Sequence, residues 1–151
     1  MRKGKILWGG LFGVLSLFIA QELFAQADVV EKRQTLMKSN SAATKAIKGA
    51  VESKDYATVE TKAKEIMGNM DRVLDLFPKG STKGKTKAKA EIWDKWDDFS
   101  KTPGKVKKAA GDLADAAKAK DDAAVEAKVK ALGAACKSCH EPFRAEKYAG
   151  E

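Results

Sequence analysis

Apolar residues recur at steps of three and four along nearly the whole chain after residue 28, which is the period of an amphipathic helix. Val29/Val30, Leu36/Met37, Ala43, Ile47 and Val51, with Arg33 interposed, predict a first helix. Ser53-Lys54-Asp55 breaks it, and Asp55 stands where it can cap the next one. Val59, Ala63, Ile66/Met67, Met70, Val73/Leu74 and Phe77 predict a second helix, stopped by Pro78 and Gly80. The pattern resumes at Glu91 with Ile92, Trp93, Trp96 and Phe99, then Val106, Ala109/Ala110, Leu113 and Ala117. Thr102-Pro103-Gly104 either starts a fresh helix with Pro103 in its first turn or kinks one longer helix. From about Asp121, Val125, Val129, Leu132, Cys136, Cys139/His140 and Phe143 form the last stripe. Pro142 lies inside it, so this helix is expected to loosen or end soon after the histidine.

Four amphipathic segments and no alternating strand pattern define an all-α protein, an antiparallel four-helix bundle. The long interruption at 79–90, "KGSTKGKTKAKA", holds five lysines, two glycines and no acidic residue. It predicts a solvated surface loop between the halves of the bundle. It lacks the interleaved aromatics of a single-strand nucleic-acid platform, so no nucleic-acid partner is expected.

The beginning of the chain sets the expected compartment. Arg2, Lys3 and Lys5 precede an apolar run from Ile6 to Ala20, too short to span a bilayer, and Ala25-Gln26-Ala27 has the small-residue pattern of a cleavage site. Residues 1–27 are therefore read as a signal peptide and 28–151 as a single exported domain without stable membrane insertion. The formal charge of +8 favours acidic partners and says nothing about fold.

Both cysteines and the sole histidine fall in "AACKSCHEPFR", residues 134–144. A thioredoxin-like dithiol would need a βαβ setting, and a zinc site would need further ligands. Cys136-x-x-Cys139-His140 instead has the spacing of covalent c-type haem attachment. Thiols at i and i+3 share one helix face and can add to two vinyl groups, while His140 supplies the proximal axial ligand.

With "KRQTLMK" (32–38), "AEIW" (90–93) and "CKSCHEPFR" (136–144) in view, the chain resembles the class II c-type cytochromes, the cytochrome c prime group. Ala90 stands where that group usually has proline. The resemblance covers the whole of 28–151 and implies a four-helix bundle with one haem c. It further implies that Arg33 reaches the haem propionates, that Met37 lies over the distal face and that Arg144 lies beside the proximal one. Arg33 and Met37, four residues apart, do share a helix face. Met67 and Met70 are rival sulfurs read as core, and Trp93, Trp96 and Phe99 as packing around the cofactor. The expected function is a periplasmic one-electron carrier with Met37 as sixth iron ligand. The alternative is a five-coordinate haem protein binding nitric oxide or carbon monoxide. No distal histidine remains for acid–base work, so an enzyme is not expected. Redox proteins, acidic ones among them, and a second copy of the chain are the expected partners.

Overall fold

The computed structural model describes residues 11–82 and 84–147, and side chains from Asp28 onward. The expected leader is outside the described residues at 1–10, and for 11–27 only a helical backbone is described. Helix α1 runs Leu11–Glu52, α2 Tyr56–Met70, α3 Glu91–Asp94, α4 Trp96–Ser100, α5 Thr102–Ala119 and α6 Asp122–Phe143. The four long helices form the bundle. Among the described residues no helix is long and apolar enough to cross a membrane.

Local chemistry sets the ends of the helices. Asp55 accepts from the Thr58 amide at 3.1 Å and Asp121 from the Ala124 amide at 3.0 Å, so carboxylates cap α2 and α6. Lys54 and Lys120, at φ of 56° and 55°, take the left-handed conformation that turns the chain after α1 and α5. These tight connections make α1–α2 and α5–α6 antiparallel hairpins. Ala110, Ala114 and Ala117 on α5 are buried, and small side chains there let α2 and α6 pack closely on either side. Leu36, Ile47, Val59, Ile66, Leu113 and Val125 fill the shared core. By contrast α1 and α6 touch each other only lightly, which leaves a seam between them.

Two predicted boundaries move. The second helix was expected to reach Phe77, but α2 ends at Met70, and a 3₁₀ turn at Leu74–Leu76 follows. Val73 and Phe77 are still buried, so the apolar stripe survives while the backbone tightens. The segment after Glu91 is two short helices broken at Lys95 before α5 begins. Of the two readings of Thr102-Pro103, the fresh helix is the one found, with Pro103 in the first turn, where its missing N–H costs nothing.

The lysine-rich loop also departs from expectation, because it is not simply solvated. Ser81 and Thr86 are fully buried, since their hydroxyls meet a buried cation described below. Lys79 and Lys85 stay exposed, as predicted.

Candidate functional site

Arg33 organises one end of the bundle. Only 5% exposed, it donates five hydrogen bonds: from Nε and Nη2 to the Leu76 carbonyl at 3.1 and 2.8 Å, from Nη2 to Ser81 Oγ at 2.7 Å, and from Nη1 to Thr86 Oγ1 at 3.1 Å and the Ser81 carbonyl at 3.4 Å. Its guanidinium carbon also lies 3.9 Å from the centroid of the Phe77 ring. Burial lowers its pKa to about 10, which leaves it cationic at neutral pH. None of its hydrogen-bond partners is a carboxylate, so the buried charge is solvated by the chain but not neutralised.

The loop that Arg33 grips continues to the far side of the seam. Thr86 Oγ1 accepts from the Ala88 amide at 3.1 Å. The Lys89 amide donates to the Phe143 carbonyl at 3.0 Å, and the Ala145 amide to the Lys87 carbonyl at 2.8 Å. Ala88 and Arg144 thereby form an antiparallel bridge. This floor ties Arg33 on α1 to Arg144 at the end of α6. Met37 is one helical turn above Arg33, and His140 is one turn above Arg144, each about 6 Å into the bundle. Met37 and His140 thus each lie one turn in from the residue that their own helix gives to this floor, on the two helices that flank the seam.

On α6, Cys136 and Cys139 share one face and are half-buried against the core, with His140 more open. The two thiols are not bonded to one another. Burial pushes both thiols above their ordinary pKa, the opposite of an activated redox dithiol. The surrounding chain, and secondarily the Arg144 charge, lower the His140 pKa, which favours the neutral imidazole a metal requires. Thr102 Oγ1 is 3.2 Å from Cys139 Sγ and donates to the Phe99 carbonyl at 2.7 Å, so the start of α5 backs the second cysteine. Phe99 packs edge-on to Phe143 at 5.3 Å and against Phe77 at 4.7 Å, locking the end of α6 onto the floor. Trp93 joins them through Nε1 and the Phe77 carbonyl at 3.2 Å, whereas Trp96 is 36% exposed. Met70 is core, and Met67 is half-buried against it, as expected for both rival sulfurs.

These side chains fit a haem: two thiols on one face, an imidazole beside them, a half-buried thioether across the seam on α1 and an unneutralised cation for carboxylates. A helical bundle carrying this donor set belongs to the covalent c-type haem proteins. The family model described as Cytochrome C′ matches residues 28–144. Cytochrome c′ of Rhodospirillum rubrum is 38% identical over 124 residues, covering 80% of this chain and 84% of that one. Cytochrome c-556 of Agrobacterium fabrum is 36% identical over 143 residues, covering 91% and 92%. Among solved structures, a cytochrome c′ with an unusual ligand-controlled dimer dissociation superposes with a TM-score of 0.75 at 30% identity, over 80% of this chain and 97% of that one. The chain belongs to the cytochrome c′ family, a group of non-enzymatic haem proteins, and carries one haem c attached through Cys136 and Cys139.

Sequence reasoning missed Ser81 and Thr86 beside Arg33, and Asn40, whose Nδ2 lies 3.9 Å from Met37 Sδ. It marked Thr102 only as a helix start, while Asn40 left a trace in standing three residues after Met37 and so on its helix face. The Arg33 web leads to a stability prediction. Arg33→Leu strands the Leu76 carbonyl and two buried hydroxyls and is expected to cost about 3 kcal/mol, at the upper end for a buried polar group left unpaired. Urea unfolding of the haem-loaded protein measures it, with Arg33→Lys intermediate because an ammonium has three donors and no planar fork.

Proposed function

We propose that the protein is an exported, periplasmic one-electron carrier in which His140 and Met37 would both hold the iron of the covalent haem. What supports this reading is that Met37 and His140 each lie one helical turn from the arginine that its helix gives to the loop joining Arg33 and Arg144. Haem supplies a reversible Fe(II)/Fe(III) couple, and thioether ligation opposite imidazole raises its potential into a range suited to electron transfer. Cys136 and Cys139 would fix the haem to α6, whose second cysteine Thr102 backs from the start of α5 and whose end Phe99 packs against, and the half-buried Met37 would help exclude water from the iron. The Arg33 cation would offset the negative charge of the haem propionates. Its N–H groups are already taken by protein oxygens, so its effect is chiefly electrostatic.

A ferric optical spectrum of the holoprotein tests the ligation. A low-spin spectrum with a methionine-to-iron charge-transfer band supports it. A high-spin spectrum with immediate carbon monoxide binding replaces it with the five-coordinate gas-binding function. Lys79 and Lys85 give the partner-facing prediction. Exposed on the loop that forms the floor of the site, they are expected to steer an acidic redox partner. Changing both to glutamate should lower the bimolecular rate about tenfold at low salt and flatten its salt dependence, measured by stopped-flow reduction. An unchanged rate at low salt would remove the loop from docking.

A further inference from the structure

We infer that Asn40 and Asn69 form a directed hydrogen-bond relay onto the Met37 sulfur, and that Glu65 fixes its direction. The inference rests on the reading of Met37 as an iron ligand. Asn40 Nδ2 is 3.9 Å from Met37 Sδ, within reach for a donor to a thioether. Asn69 Nδ2 is 2.8 Å from Asn40 Oδ1 and 3.0 Å from Ser39 Oγ. Ser39 Oγ is 2.8 Å from Glu65 Oε1, and Lys62 Nζ is 2.8 Å from Glu65 Oε2. All of these residues are half-buried, Lys62 included, and the contacts join Ser39 and Asn40 on α1 to Glu65 and Asn69 on α2.

Amide orientation is ambiguous for an isolated asparagine, but this chain of partners removes the ambiguity. The Glu65 carboxylate can only accept, so the single Ser39 proton goes to it. Ser39 is then left with lone pairs, and Asn69 must turn its NH₂ toward Ser39. The second hydrogen of that NH₂ goes to the Asn40 carbonyl oxygen, which in turn points the Asn40 NH₂ at Met37. The relay therefore ends as a donor on sulfur. Lys62 first, and then Ser39, hold the Glu65 pKa below its usual range, which keeps the starting acceptor ionised.

A thioether sulfur has two lone pairs. An N–H on one of them leaves the other for a metal and sets which face of the sulfur presents it. The same N–H withdraws electron density, which weakens the sulfur as a donor to Fe(III) more than to Fe(II). Asn40 and Asn69 are thus positioning residues that raise the reduction potential.

The test uses the haem-loaded protein and two readouts, the ferric charge-transfer band and the reduction potential. Asn40→Leu and Asn69→Leu should each shift the band and lower the potential. Glu65→Gln, which can donate as well as accept and so lets the relay reverse, should do the same by less. Thr44→Val is the control, since Thr44 donates only to the Asn40 main-chain carbonyl, at 2.8 Å, and should move neither. If Asn40→Leu fails to accumulate, Asn69→Leu and Glu65→Gln probe the relay from α2. A low-spin wild type whose band and potential do not change in the relay variants overturns the relay and leaves Met37 ligation standing. A high-spin wild type overturns the ligation, and the relay falls with it.

Discussion

Met37→Ala is expected to convert the ferric protein from low-spin to high-spin, abolish the charge-transfer band and open the haem to carbon monoxide. The substitution removes the thioether proposed as the second iron ligand, and alanine leaves a position that water or gas can take. Losing a soft sulfur donor should also lower the reduction potential, because thioether ligation favours Fe(II). Carbon monoxide association should rise by at least about tenfold, since even a 1.4 kcal/mol weakening of the closed form gives that factor. Met67→Ala and Met70→Ala supply the comparison. Met70 is core and Met67 packs half-buried against it, so their loss should cost stability by cavity formation, about 2 to 3 kcal/mol for Met70, with an unchanged spectrum. Optical spectra of the three variants, taken with and without carbon monoxide, decide the matter. A Met37→Ala spectrum identical to wild type would end the proposed ligation.

The cysteines carry the second large effect. With Cys136 and Cys139 both changed to serine, covalent haem should be lost altogether, read as absence of haem staining after a denaturing gel. Either single serine variant should keep one thioether and a weakened stain. The fold should suffer as well. A ligand that binds only the native state stabilises it by mass action, and covalent attachment makes that ligand impossible to dilute away. The double variant is therefore expected to melt well below the holoprotein by circular dichroism. Equal melting temperatures would mean that the haem is not part of the core. Full staining of the double variant would refute the attachment itself.

The amino-acid sequence by itself determined the helices, their amphipathic faces and the attachment motif, because those features are local. Helical periodicity needs only neighbours three and four residues away, Asp55 and Asp121 cap from three residues away, and Cys136, Cys139 and His140 lie within five positions. The resemblance carried by "KRQTLMK" and "CKSCHEPFR" added Arg33 and Met37 to the expected site. What the tertiary structure decided depends on partners far apart in the chain. Arg33 closes on Leu76, Ser81 and Thr86, more than forty residues away. A cation buried there needs oxygen acceptors on every side, and the chain supplies them by ending α2 early and drawing two hydroxyls of the lysine-rich loop inside. The relay from Glu65 through Asn69 to Met37 likewise exists only because α1 and α2 pack side by side, and the direction of its hydrogen bonds follows from that packing.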